Sequence, residues 1–330
     1  MSAALRAPFP WPGGKSRAAA AVWAALGDPA VYVEPFAGSL ATLLRRPAVD
    51  GRCVEIANDL DGFVANFWRA VAADPTAVAR AADWPVSETD LHAWHRHLVA
   101  RRADLVAVLD ADPHAFDAEV AGRWAWGLCQ WIGHGWCGSD EPGRQLPTMT
   151  SAVGVCRHVW GRPSAGAVAA EAVPFASVRE WMLALQARLR QVRTACGDWR
   201  RVVTDGVLLG PLRSFPRGAC AAVFLDPPYA EGAQQYAGGG TGTDLSAVVR
   251  AWAVEHGDNP ALRIVLCGYD GEHEMPSDWS VYKWSAGEGF GAQAATRSKN
   301  GDRERIWFSP ACIDVNRDRF PLFHQDGVGA

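Results

Sequence analysis

The tetrapeptide DPPY, Asp226 to Tyr229, follows the apolar run AAVFL. Such a run predicts a buried strand, and in open α/β sheets ligands bind beyond the carboxyl ends of strands. Pro227 and Pro228 stiffen the backbone and remove two N–H donors, leaving outward carbonyl acceptors. The Asp226 carboxylate, the rigid Pro227 carbonyl and the aromatic face of Tyr229 together suit a flat molecule that carries an amino group. The same four residues also make a strand-ending proline turn with a capping aspartate, and composition alone leaves both readings open.

Two further stretches sit where a nucleotide-type cofactor would meet such a sheet. EPFAGS contains Glu34, Pro35, Phe36, Gly38 and Ser39, and it ends one strand-like run and opens the next segment. A dinucleotide fingerprint needs G-x-G-x-x-G; only Gly38 is present, so a pyrophosphate-bearing dinucleotide is not expected. Asp59 ends a second strand-like run about 25 residues beyond Glu34, near the interval at which such folds place a ribose-holding acid. Near the start stands WPGGKS, with Trp11, Gly13, Gly14, Lys15 and Ser16. Its Gly-Lys-Ser ending resembles a triphosphate loop, but the required earlier glycine position holds Phe9 and no strand precedes it.

The elements that must position these residues alternate. An alanine-rich helix over 16–26 closed by Gly27, a strand at 31–35, a helix in LATLLRRP ended by Pro47, a strand at 52–59 and a helix in GFVANFWRAVAADP predict a parallel sheet with crossover helices. Residues 83–195 break the pattern with helical stretches and a loop-rich piece. Strand signals return at RRVVTD (Arg200 to Asp205), CAAVFL, LRIVLCGYD, WSVYKWS and RERIWFSP. One α/β domain, residues 1–82 plus 196–330, is therefore expected to carry a helical insertion at 83–195.

Composition narrows the class. The chain has 330 residues, is 49% hydrophobic and carries a formal net charge of −4, ordinary values for a globular protein and against one basic all over. No apolar run approaches the roughly 20 residues needed to span a bilayer, and no secretory leader pattern is seen, which predicts a cytoplasmic location without a membrane partner. The cysteines are scattered with no C-x-x-C pair and are expected to be reduced and buried. Cys129, His134 and Cys137, or His92, His95 and His97, lack a second ligand pair at finger-like spacing, so no metal is expected. Between Arg144 and Arg217 stand eleven arginines and no lysine against four acids, a stretch able to follow a phosphate backbone. Trp124, Trp126, Trp131 and Trp136 crowd one short segment, where a core role is the expectation.

WPGGK, VEPFAGS, ANDLD and DPPY, in that order, resemble the DNA N6-adenine methyltransferases of the Dam/D12 class. The resemblance covers residues 8–70 and 200–310, and RERIWFSP resembles the family's final strand. It implies a Rossmann-like methyltransferase sheet with a target-recognition insertion at 83–195. It also implies S-adenosylmethionine as cofactor, lined by Trp11, Lys15, Asp59 and Asp226, with Gly13, Gly14 and the turn from Glu34 to Ser39 beneath it. Asp226, Pro227, Pro228 and Tyr229 would then act on a flipped adenine, and double-stranded DNA would be the partner. Within the insertion, Arg144, Arg157 and Arg162 are the candidates for DNA contact. Leu40 departs from the family, many of whose members have a small residue there. A cytosine amine or RNA as acceptor, and a binding protein without turnover, remain open. So do a restriction endonuclease partner, a phage origin, a regulatory role and the oligomeric state.

Overall fold

The computed structural model describes residues 5–11, 14–47, 51–131, 136–138, 177–229, 245–283 and 303–314. Gly13, Arg144, Arg157 and Arg162 lie outside them, as does His134.

Seven strands form one mixed sheet: β1 (Val31–Glu34), β2 (Val54–Asp59), β3 (Val192–Cys196), β4 (Ala221–Leu225), β5 (Leu262–Tyr269), β6 (Ser280–Lys283) and β7 (Glu304–Phe308). Their order is β3-β2-β1-β4-β5-β7-β6. The first five are parallel, whereas β7 runs antiparallel to both β5 and β6. The first five positions match the doubly wound dinucleotide-binding order, with β7 intruding before β6, so the sheet is compatible with a Rossmann-like fold.

Alternation along the strands sorts the core into two halves. Tyr32, Ala57, Phe224, Val265, Ile306 and Phe308 face one side. There the sheet is covered by α1 (Ala19–Leu26), α2 (Gly62–Ala73), α3 (Pro75–Ala82), α4 (Glu88–Ala111), α5 (Ala118–Gln130) and α6 (Val178–Leu189). Val31, Val33, Ile56, Val223, Ile264 and Trp307 face the other side. That side is covered by Trp199, α7 (Asp205–Leu208) and α8 (Leu245–His256). Both faces being covered explains why the strands read as continuous apolar runs.

The helices start where short polar side chains satisfy their first N–H groups. Asp61 caps α2, Asp74 caps α3 ahead of Pro75, Ser87 caps α4, Asp117 caps α5 and Ser177 caps α6. Gly27 closes α1 at φ +63°.

The helical stretch after residue 83 packs on the helices that cover the sheet and shares their core. α5 and α6 lie against α2 and α3, and Leu98, Leu105, Val120 and Leu185 share one core with Tyr32 and Phe224. The boundary drawn at 195/196 falls within β3, which pairs with β2 along Glu55 to Asp59. Trp124, Trp126 and Trp131 are buried and Trp136 partly so, as expected.

Two local expectations are corrected. LATLLRRP forms only one 3-10 turn, Leu43–Arg45, because Leu40 sits at φ +55° and Arg46 is already extended. RRVVTD is not a strand; Trp199–Val202 is a 3-10 turn whose Trp199 and Val202 plug the second core half. The strand lies just before it, at β3, where Val192, Ala195 and Cys196 are half-buried and Arg193 and Thr194 exposed, as suits an edge.

One arginine of the basic stretch belongs to the fold. Arg188 of α6 grips Glu55 with two bonds of 2.6 and 2.8 Å, and Arg46 reaches the same carboxylate at 3.0 Å. A paired guanidinium is what a buried carboxylate on β2 requires. Arg179, Arg190, Arg193, Arg213 and Arg217 remain exposed. No helix among the described residues is long and apolar enough to cross a membrane.

Candidate functional site at the carboxyl ends of β1 and β4

Chain direction across the sheet reverses between β1 and β4: β2 and β3 continue to one side, β5 to the other. At such a switch point the loops leaving two adjacent strands diverge and open a crevice. The turn after β1 and the DPPY segment after β4 both leave the sheet here.

The β1 turn is held by its neighbours. Ala37 N donates to Asn58 O at 2.8 Å, and Asn58 Nδ2 donates to the carbonyls of Pro35 (3.0 Å) and Gly197 (2.9 Å). Gly38, at φ +45°, donates its N–H to Asp59 Oδ2 at 2.8 Å, while Trp68 Nε1 donates to the Gly38 carbonyl at 3.0 Å. A Cβ on Gly38 would lie within 2.5 Å of Trp11 Cδ1. The glycine is thus needed twice over, for its dihedral and for the indole that rests on it. Trp11 is fixed in turn by Phe9 and by Trp124 of α5, each with ring centroids 6.0 Å away. Gly14 donates its N–H to Trp11 O at 2.9 Å and closes that turn.

Asp59 ends β2 half-buried, and its Oδ1 accepts from Asp61 N at 2.9 Å. Burial pushes its carboxyl up to about 6, against the backbone bonds from Asp61, Gly38 and Leu60 that favour the charged form. Glu34 behaves differently. Its carboxyl is buried and accepts from the Tyr32 hydroxyl at 2.6 Å, and burial pushes it up to about 8, so it is neutral at pH 7. It supports the turn from below and does not line the crevice. Pro35 and Ser39 are likewise buried, while half-buried Phe36 turns to the other core half, 6.0 Å from Trp199.

Lys15 is 1% exposed. Its Nζ lies 2.9 and 3.1 Å from the two oxygens of Asp226 and 3.5 Å from Glu304 Oε2. Burial works to lower the lysine, but Asp226 and then Glu304 outweigh it and hold it above the ordinary range, fully charged. Tyr229 donates its hydroxyl to Asp226 Oδ1 at 3.1 Å, and its ring lies under Lys15 Nζ, 5.1 Å from the centroid. The edge of Tyr269 meets that ring at 4.6 Å. Pro227 is buried and Pro228 half-buried. A carboxylate is thus oriented by an ammonium and a phenol at the mouth of the sheet. That arrangement can accept hydrogen bonds from a planar amine.

Lys15 and Asp226, 211 positions apart in sequence, are therefore brought together with Tyr229 at the end of β4, while Trp11, Gly38 and Asp59 are held together in the turn after the neighbouring β1. The sequence reading missed Asn58, Cys267, Tyr269 and Glu304. For Glu304 a signal existed: an acid opening the otherwise buried strand RIWF needs a buried cation. Histidine 95 of the HAWHRH run is not a ligand candidate; it is buried, stacks on Trp131 and accepts from Cys137 N through Nδ1. Among the described residues no group of three or more metal-ligating side chains is found.

The neutral Glu34 has a measurable consequence. Its folded carboxyl titrates above its unfolded value, so the stability it contributes is full below about pH 4 and is lost as pH rises through about 8. Glu34→Gln should therefore melt closer to the parent at pH 5 and above it at pH 9, a comparison that thermal unfolding at the two pH values provides.

Neither a scan against protein-family models nor a search of curated proteins finds a match to this chain.

Proposed function

We propose that this chain is a site-specific DNA adenine methyltransferase that places a methyl group on the exocyclic N6 amine of a flipped-out adenine. The observation that carries this reading is the convergence of Lys15, Asp226 and Tyr229 beside the Gly38–Asp59 turn at the switch point. The resemblance of WPGGK, VEPFAGS, ANDLD and DPPY to the Dam/D12 class gives that convergence its chemistry.

The residues fit S-adenosylmethionine. A carboxylate offers about four acceptor positions. Asp59 uses three on the Gly38, Leu60 and Asp61 N–H groups, which leaves an acceptor for a ribose hydroxyl on its half-exposed side. The Gly38 backbone, free of a side chain, permits close approach beside Trp11. When bound, S-adenosylmethionine supplies an electrophilic sulfonium methyl.

The adenine amine is a poor nucleophile because its lone pair is delocalised into the ring. Asp226 and the Pro227 carbonyl would accept its two hydrogens and favour a pyramidal nitrogen with a freer lone pair. Positioning alone can lower a barrier by roughly 7–11 kcal/mol. A base inside a duplex must first be flipped, at a few kcal/mol, and stacking on Tyr229 would return about 1–3 kcal/mol. The Tyr229 hydroxyl supports a second role, orienting Asp226. Arg144, Arg157 and Arg162 are proposed to meet the DNA backbone. Reversing the charge of Arg157 and Arg162 should weaken DNA binding and flatten its salt dependence by about two units of log–log slope, readable by fluorescence anisotropy across a salt series.

The direct test is mass spectrometry of nucleosides after incubating unmethylated duplex DNA with the protein and S-adenosylmethionine. N6-methyldeoxyadenosine supports the reading. Methylated deoxycytidine would change the acceptor and keep the amine chemistry. Cofactor binding with no methylated nucleoside would point to RNA or to a binding protein without turnover.

A further inference from the structure

Glu304 opens β7 on the same face as Ile306 and Phe308, the one covered by α1 to α6, and is 6% exposed. Its Oε2 is buried without a hydrogen-bond partner among the described residues, and the cation nearest to it is Lys15 at 3.5 Å. Lys15 is paired with two carboxylates, Asp226 at 2.9 Å and Glu304 at 3.5 Å. Two acids 78 residues apart in sequence thus share one buried ammonium that reaches them from the N-terminal segment.

We propose that Glu304 is a positioning residue for Asp226: by drawing on the charge of Lys15, it leaves more of the Asp226 carboxylate's negative charge available to the amine of the substrate. The inference rests on the methyl-transfer reading. Its physical basis is Coulombic. A cation about 3 Å from a half-buried carboxylate takes up much of that group's capacity as an acceptor, and a second anion paired with the same cation returns part of it. Were Glu304 neutral, Asp226 would face the whole ammonium charge alone.

The groups facing Glu304 are Lys15, Asp226, Cys267 and Tyr269, with Arg303 beside Tyr269. Burial keeps the Cys267 thiol and the Tyr269 phenol protonated, so neither titrates near neutrality. Burial also pushes Glu304 up to about 7, with Lys15 opposing and Asp226 adding to the rise. Above that pH Glu304 is an anion and shares Lys15; below it, it does not. Turnover should therefore fall as pH drops through about 7.

The test compares the parent protein with Glu304→Gln and Glu304→Asp in two readouts. In steady-state methylation, Glu304→Gln should lower kcat at pH 8 about tenfold, the equivalent of one pKa unit, leave KM for DNA and cofactor unchanged, and lose the acid limb; Glu304→Asp should restore the limb. The second readout needs no turnover. The chain has only three lysines, Lys15, Lys283 and Lys299, so side-chain 15Nζ NMR resolves the buried one. The Lys15 resonance should shift with a midpoint near pH 7 in the parent and stay flat in Glu304→Gln. An unchanged kcat and acid limb in Glu304→Gln, or a Lys15 signal without that step in the parent, overturns the inference. A parent protein that methylates no adenine at any pH overturns the functional reading instead, and the Lys15 titration then still decides whether the two acids share the cation.

Discussion

Asp226→Asn is expected to remove methyl transfer altogether while the protein stays folded and binds S-adenosylmethionine. The amide keeps one acceptor oxygen but lacks the negative charge that Lys15 holds in place, and its NH2 arm sets a donor against the ammonium where a carboxylate oxygen stood. Asp226→Ala should have the same effect on activity. Both variants also carry a stability cost, because Lys15 is 1% exposed and its closest counter-ion is gone. Breaking a buried ion pair by removing one partner typically costs about 3–5 kcal/mol. The low end, about 3 kcal/mol, is expected because Glu304 remains 3.5 Å from the ammonium and takes over the pairing. Urea unfolding at pH 8 measures the cost, and nucleoside mass spectrometry measures the activity. Full activity in either variant would remove Asp226 from the chemistry.

The second large effect falls on the turn after β1. Gly38→Ala should destabilise the protein by about 3 kcal/mol, of which roughly 1–2 kcal/mol comes from forcing a side chain to φ +45°. The rest comes from Trp11, which must leave its place on Gly38 and loosen its contacts with Phe9 and Trp124. Because Gly38 also donates to Asp59, the cradle proposed for the cofactor shifts with it. S-adenosylmethionine affinity by calorimetry should fall by at least about tenfold, or 1.4 kcal/mol. A variant that melts like the parent would show that the turn has another conformation within easy reach.

The contrast with Leu40 is instructive. Two residues on, this leucine adopts φ +55° and is fully buried. No sequence rule would place a leucine there, since the left-handed region disfavours any Cβ. The buried side chain compensates for the dihedral, and the same dihedral stops the helix expected in LATLLRRP. Tertiary packing decided against local propensity, and nothing in the segment itself announced it. The strands facing two covered layers were legible because apolar runs such as AAVFL and LRIVL have few other readings. β3 was not, since an edge strand with Arg193 and Thr194 exposed shows neither a run nor a clean alternation. At the site, motif residues at strand ends were legible from position alone. For Glu304 the sequence shows only that an acid opening a buried strand needs a cation; which cation, Lys15, is settled only in the folded chain.

The sheet order has a consequence for how the chain comes to be folded. β1 and β2 are synthesised first and pair with each other, but the other edge of β2 waits for β3, where Glu55 meets Val192. The other edge of β1 waits longer, for Val31 to meet Ala221. A two-stranded parallel pair is not stable by itself. While the nascent chain lengthens, α2 to α5 can shield one face. Val31, Val33, Val54 and Ile56 stay bare on the other until Trp199, Val202 and β4 arrive. Such long-range closure is slow, and unpaired edges beside a bare apolar face invite association with other chains. Refolding yield from denaturant should therefore fall steeply with protein concentration, and expression at lowered temperature should favour soluble product.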